Sequence, residues 1–225
     1  MTADAQLEGV YRGRFSEQEA RQKRLIWREI ARYLQRFVDP GAPVLDVACD
    51  RGDFICNIEA REKWATDIRD VSGHLPEGVR FVQTDGLALA RHLPTEHFGT
   101  VFMSNYLEHL TSSELVVRQL AVARELLRPG GRVIVLQPNI RLVGHAYWDF
   151  IDHRVALTER SLREAAESAD LRTKAVITRF LPYTTKSRLP KHPLLVRGYL
   201  ALRPAWLLAG KQTLYVGEKP RSSDR

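Results

Sequence analysis

The sequence predicts a doubly wound α/β domain, with a mostly parallel sheet and helices on both of its faces. Three observations carry this prediction. Short apolar runs of strand length alternate with helical patterns over residues 43–137, and that alternation calls for right-handed crossovers and parallel strands covered on both sides. The 225 residues suffice for one sizeable core, so a single domain over 1–225 is the default. Three aspartates, Asp46, Asp67 and Asp85, close three successive strand patterns, at the edge where such sheets take their ligands.

The elements follow in order. Residues 1–40 form a helical lead-in. Ser16-x-x-Glu19 has capping-box spacing, and Ile26, Trp27, Ile30, Leu34 and Phe37 recur at helical intervals until Pro40-Gly41. Residues 41–140 are the core of the alternation. Strand 43–48 leads to a short helix at 51–58, then come strands 63–67 and 79–83, a short helix at 86–91 and strand 98–104. A helix over 113–127, capped by Ser112 or Ser113, ends at the turn "RPGG", and strand 131–137 follows. Residues 141–225 hold an aromatic loop, "GHAYWDFIDH", a helix starting at Ser161-x-x-Glu164, strand 171–180, an apolar-basic segment at 193–209 and strand 211–217.

Composition narrows the function classes. The apolar and charged fractions are those of a globular protein. Two cysteines, Cys49 and Cys56, make neither a disulfide framework nor a Cys-rich metal site. No secretory h-region is read near the start and no run spans a bilayer, so a cytoplasmic protein is expected. The net charge of +7 is unevenly placed: residues 171–225 carry twelve Lys/Arg against two Asp/Glu, and residues 41–170 carry fourteen against nineteen. A local basic face fits this better than a nucleic-acid footprint over the whole chain.

The loop in "VLDVACDRGDF", 44–54, has a single glycine, Gly52, where a nucleotide turn would show Gly-x-Gly-x-Gly. Asp67 follows Asp46 by 21 residues, about the spacing at which a second-strand acid meets a ribose. A nicotinamide dehydrogenase shares that acid, but it needs glycines that admit a pyrophosphate to a helix N-terminus. Asp50 and Asp53 put negative charge there instead. Asp50 reads as the N-cap of a helix beginning at Arg51, with Asp53 in its first turn.

Together "PVLDVACDRGDF", "KWATD", "FVQTD", "FMSNYLEHL" and "LLRPGGRVIVLQPN" resemble the successive motifs of class I S-adenosylmethionine-dependent methyltransferases, over about residues 40–140. The tail, "AYWDFIDH", "RFLPYTTKSRLP" and "GKQTLYVG", resembles a bacterial subgroup found with glycan-assembly enzymes. The resemblance implies a seven-stranded sheet whose last strand is antiparallel and inserted between the fifth and sixth. It also implies S-adenosylmethionine as cofactor. Asp46 and the backbone from Ala48 to Gly52 would line its methionine part. Asp67 would take the ribose hydroxyls, Asp85 the adenine amino group with the Gly86 amide at the ring edge, and Asn105 would stand where a backbone carbonyl receives the ammonium. Asp50 departs from the pattern, replacing a glycine at close backbone approach.

Methyl transfer to a hydroxyl needs a base. The candidates are Glu108 and His109 after the fourth strand, and Asp152 and His153 in the aromatic loop. His153 has the better case, because Tyr147, Trp148 and Phe150 beside it suit a small-molecule or glycan acceptor. The histidines are dispersed and no metal-ligand spacing is recognised, so no metal is assigned. Two other classes stay open: a non-catalytic partner subunit with a cofactor fold, and a nucleic-acid methyltransferase or binder using the basic tail. Within residues 186–211, Leu194, Leu195, Tyr199, Leu202, Trp206 and Leu207 could form one apolar face, with Pro204 starting a second helical turn. That face either packs on the sheet or rests, with Lys186, Arg188, Lys191 and Arg197, on an anionic membrane.

Overall fold

The computed structural model describes residues 17–183 and 192–221. Seven strands, β1 Pro43–Val47, β2 Glu62–Asp67, β3 Val79–Gln83, β4 Phe98–Ser104, β5 Leu127–Pro138, β6 Arg172–Leu181 and β7 Gln212–Glu218, form one sheet in the order β3-β2-β1-β4-β5-β7-β6. The first five strands pair in parallel. β7 runs antiparallel to both β5 and β6 and lies between them, as the resemblance implies. The strand order reverses between β1 and β4, so the ligand crevice of such a sheet opens beyond their C-terminal ends.

Each face of the sheet carries its own core. α1 (Glu17–Leu34), α5 (Pro193–Ala201) and α6 (Arg203–Ala209) cover one face, where Leu34, Phe54, Phe102, Phe180 and Trp206 pack together. α2 (Ser113–Leu126) and α4 (Glu159–Ser168) cover the other, where Leu45, Met103, Leu120, Leu162 and Tyr215 meet. Successive residues of β4 serve opposite faces, Phe102 one and Val101 and Met103 the other. Burial on both sides explains why β1 and β4 read as continuous apolar runs. A one-turn α3, Ile140–Val143, leads into a 3-10 helix, Gly144–Asp149, in the aromatic loop.

Several local expectations change. Residues 51–58 form a run of turns instead of a regular helix, with two backbone bonds of helical span, Cys56 N–H to Gly52 O at 2.9 Å and Ile58 N–H to Phe54 O at 3.1 Å. The left-handed backbone of Gly52, at φ 70°, keeps right-handed helix from nucleating there. The stretch Gly86–Arg91 is a 3-10 helix capped by Asp85. The N-cap of α4 lies three residues before Ser161: it is Thr158, and Ser161 is the reciprocal N3 partner. Ser112 caps α2. "RPGG" bulges out of β5, whose pairing jumps from Phe98↔Leu127 to Thr100↔Arg132. Ser16 of the N-terminal capping pattern lies outside the described residues.

The C-terminal apolar face divides. Leu200 and Trp206 are buried, and Trp206 Nε1–H donates to the Tyr199 carbonyl at 2.8 Å while Tyr199 Oη–H donates to the Phe180 carbonyl at 2.9 Å. Leu194, Leu195, Leu202, Leu207 and Leu208 point outward, 54–89% exposed. Pro204 lies in the first turn of α6, as its position predicts. Arg197 is not free for a partner: it pairs with Glu29 of α1 at 3.5 Å. Lys186, Arg188 and Lys191 lie outside the described residues. Among the described residues, no helix is long and apolar enough to cross a membrane.

Candidate active site

The loop after β1 has the backbone of a glycine turn with glycine at only one of its three left-handed positions. Ala48, Asp50 and Gly52 all have positive φ, at 54°, 49° and 70°. A left-handed conformation costs a non-glycine residue about 1–2 kcal/mol, and aspartate is among the residues that tolerate it. Gly52 also has no room for a side chain, because a Cβ there would fall 2.4 Å from Leu75 Cδ2.

Asp50 is therefore not the N-cap expected of it, since a cap has extended backbone. Its carboxylate is held in ion pairs, 3.1 Å from Arg69 Nη2 and 3.4 Å from Lys23 Nζ. Lys23 reaches down from α1 and also pairs with Asp53 at 3.0 Å. Burial pushes the Asp50 carboxyl up, but the Lys23 ammonium and the Arg69 guanidinium together hold it below the usual range. Hydrogen bonds fix the loop: Cys49 N–H donates to Thr66 O at 2.9 Å, and Asp50 N–H to Asp67 Oδ2 at 3.0 Å. Asp46 lies beneath, accepting from Ile55 N–H at 3.3 Å. Burial, with the neighbouring carboxylates adding to it, drives its pKa well above the ordinary value.

Asp67 closes β2 where the sequence places it, and it is fully engaged. Oδ1 accepts from the Arg69 N–H at 3.0 Å and from Arg69 Nε at 3.1 Å, and Oδ2 accepts from Asp50 N–H and from Arg69 Nη2 at 3.3 Å. A carboxylate has about four lone-pair sites, and Arg69 takes three of them while the Asp50 N–H takes the fourth. Sequence reasoning missed Arg69, and its only signal is a basic residue two places after the acid. Asp85 is exposed, and its Oδ1 accepts from Leu87 N–H at 2.7 Å. Gly86 is glycine because a Cβ there would fall 2.1 Å from Tyr106 Oη, which donates to Gln119 Oε1 at 2.9 Å. Tyr106 was also missed. It follows Asn105, which is exposed, has φ 48° and turns the chain away from β4.

The four candidates for the base come together although two pairs of them lie more than forty residues apart. Glu108 and His109 belong to the 3-10 turn Leu107–His109. The Glu108 carbonyl accepts from Arg154 N–H at 2.8 Å and from Val155 N–H at 3.1 Å, which pins the aromatic loop to that turn. His109 Nδ1 lies 3.0 Å from the Asp152 carbonyl, which can only accept, so Nδ1 carries the proton and Nε2 the lone pair. The His153 ring lies 5.1 Å from His109, 4.7 Å from Tyr147 and 5.1 Å from Phe150, centroid to centroid. Glu108 is 1% exposed, and among the described residues no other residue gives either of its carboxylate oxygens a hydrogen bond. Burial raises its pKa to about 7. Trp148 is exposed at the rim. The arrangement sets a left-handed loop beside a strand-end acid, near a compact, partly buried cluster of two histidines and two acidic residues.

Comparison with known proteins agrees with the fold. A family model described as a methyltransferase domain matches residues 18–176. No curated relative matches the chain. Among solved structures, a SAM-dependent methyltransferase from Archaeoglobus fulgidus is 19% identical with a TM-score of 0.61, over 85% of this chain and 94% of that one. A putative methyltransferase, solved in complex with the Trm112 methyltransferase activator of Haloferax volcanii, is 14% identical with a TM-score of 0.63, over 87% and 91%. A possible histamine N-methyltransferase from Thermotoga maritima is 16% identical with a TM-score of 0.62, over 88% and 91%. At these identities the structures establish a shared fold.

Proposed function

The chain belongs to the methyltransferase-domain family, and from that premise we propose that it moves a methyl group from S-adenosylmethionine to a hydroxyl oxygen of a small-molecule or glycan acceptor. The observation that carries this reading is the left-handed backbone at Ala48, Asp50 and Gly52, beside the strand-end acid Asp67. Two non-glycine residues bear conformational strain to keep the shape of a cofactor turn, and strain of this kind persists where function requires it.

The residues present fit the cofactor. Asp46 and the 48–52 backbone line its amino-acid part, Asp67 takes the ribose hydroxyls once the Arg69 side chain yields, Asp85 and Gly86 meet the adenine, and Asn105 stands near the ammonium. Bound there, the sulfonium supplies an already activated methyl group. The protein's share of the work is then alignment of the acceptor and removal of its proton. Glu108, His109, Asp152 and His153 surround the place for that proton, and exposed Trp148 offers a flat apolar wall of the kind that suits a sugar ring.

The exposed leucines of α5 and α6 support a further part of the reading, a peripheral seat on an anionic membrane. The described stretch 192–211 has no acidic residue, and Arg203 and Lys211 are exposed beside Leu202, Leu207 and Leu208. Basic residues near such a surface contribute about 1 kcal/mol each. A lipid-linked glycan would suit an enzyme held there. The rival readings are a non-catalytic partner subunit and a nucleic-acid methyltransferase or binder.

Incubation with methyl-labelled S-adenosylmethionine and fractionated bacterial extract tests the whole. Label is expected in a small-molecule or glycolipid fraction. Label in RNA or DNA favours the nucleic-acid reading, and cofactor binding without transfer to any fraction favours the partner subunit.

A further inference from the structure

We propose that Glu108, His109 and His153 bind a divalent first-row transition-metal ion. The three side chains each offer one ligand atom, and these atoms lie within 4.8 Å of one another. Ligands about 2.0–2.2 Å from one ion stand about 3–4 Å apart, so rotamer shifts of less than an ångström close the site. The second, independent observation is the Glu108 carboxylate. It is 1% exposed, and among the described residues no other residue donates a hydrogen bond to either of its oxygens. An unpaired buried carboxylate costs several kcal/mol, which protonation or coordination to a cation offsets, and two imidazoles within reach favour the cation.

The surroundings support coordination over simple packing. His109 Nδ1–H donates to the Asp152 carbonyl at 3.0 Å, the outer hydrogen bond that orients a metal-bound imidazole and leaves Nε2 as the ligand atom. The backbone of 154–155 donates to the Glu108 carbonyl, so ligands from two distant segments share one rigid frame. Two imidazoles with one carboxylate suit Mn²⁺, Fe²⁺, Co²⁺, Ni²⁺ or Zn²⁺ better than Mg²⁺ or Ca²⁺, which prefer oxygen. Three protein ligands leave positions open for an acceptor oxygen. That last role rests on the methyl-transfer reading above, whereas binding of the ion does not.

The test uses untagged full chain, stripped with chelator and titrated with Co²⁺ by calorimetry and visible absorption. One Co²⁺ per chain is expected, with d–d bands that report nitrogen ligands. Glu108→Gln and His153→Phe should each weaken it at least tenfold, the second keeping the ring stack on Phe150. S-adenosylhomocysteine binding, measured on the same samples, reports folding of the variants and should not change. No stoichiometric uptake at millimolar Co²⁺, or uptake that both variants leave unchanged, overturns the proposal. Co²⁺ bound without any S-adenosylhomocysteine affinity removes the methyl-transfer reading and leaves the ion site standing.

Discussion

The backbone N–H of Asp50 donates to Oδ2 of Asp67 at 3.0 Å. This bond joins the loop after the first strand to the acid at the end of the second, across 17 residues of sequence. The Asp50 side chain points into ion pairs with Arg69 and Lys23. One residue thus ties the first loop to the second strand through its backbone and to Arg69 and Lys23 through its charge.

Asp50 substitutions separate those two roles. Asp50→Asn keeps a residue that accepts positive φ, whereas Asp50→Ser does not, so the serine variant should be less stable by about 1 kcal/mol. Denaturant unfolding measures the difference. Equal stabilities would return Asp50 to a helix cap, where serine and asparagine serve alike.

Asp67 and Arg69 should act in opposite directions on cofactor binding. Calorimetry with S-adenosylhomocysteine is expected to show one site, weakened by about 1–3 kcal/mol in Asp67→Ala. Arg69→Ala removes the competitor for Asp67 and should tighten binding several-fold while lowering the melting temperature. Weaker binding in that variant would make Arg69 a cofactor contact.

Asp46 gives a pH signature. Its pKa is raised in the folded protein, so its favourable contribution is complete below the unfolded value, about 3.9, and is lost as pH rises through the folded value. As pH rises above the unfolded value, holding this carboxyl in its buried place is a growing cost. Asp46→Asn should then melt higher than wild type at pH 8, with the gain vanishing toward pH 4. A difference that does not depend on pH would mean that packing, not ionisation, sets the effect.

His153→Phe should lower turnover by roughly 10²–10⁴-fold with S-adenosylhomocysteine affinity unchanged, once an acceptor is in hand. The substitution keeps an aromatic ring between Tyr147 and Phe150. Unchanged turnover would make His153 a packing residue, and His109→Phe would be measured next.

Changing Leu194, Leu195, Leu207 and Leu208 to serine should abolish flotation with anionic liposomes without lowering stability, because all four side chains are exposed. Flotation of the wild type should weaken at high salt. A wild type that never floats leaves these leucines without a membrane role.

The sequence by itself determined the frame. Apolar runs of strand length, helical repeats and turn residues are local signals, and β3 and β4 fall on the residues those signals predict, Val79–Gln83 and Phe98–Ser104. Asp46 and Asp67 lie within the ends of β1 and β2, and Asp85 lies two residues beyond β3, for the same reason. Local signals extend about one helical turn, and at that range Asp50 before a short apolar run reads as a cap. Only the fold shows that Asp50 is left-handed and bound to Arg69 and Lys23, because Lys23 arrives from a helix 27 residues upstream. The same limit leaves Glu108, His109 and His153 as separate candidates, because their meeting depends on the aromatic loop being pinned to the 107–109 turn. It also hid the division of the C-terminal leucines, since helical period makes them one stripe, and only packing against Phe180 and Tyr33 draws Trp206 inward. Charge pairing and convergence of side chains are set by where the chain returns in space, and no local period carries that information.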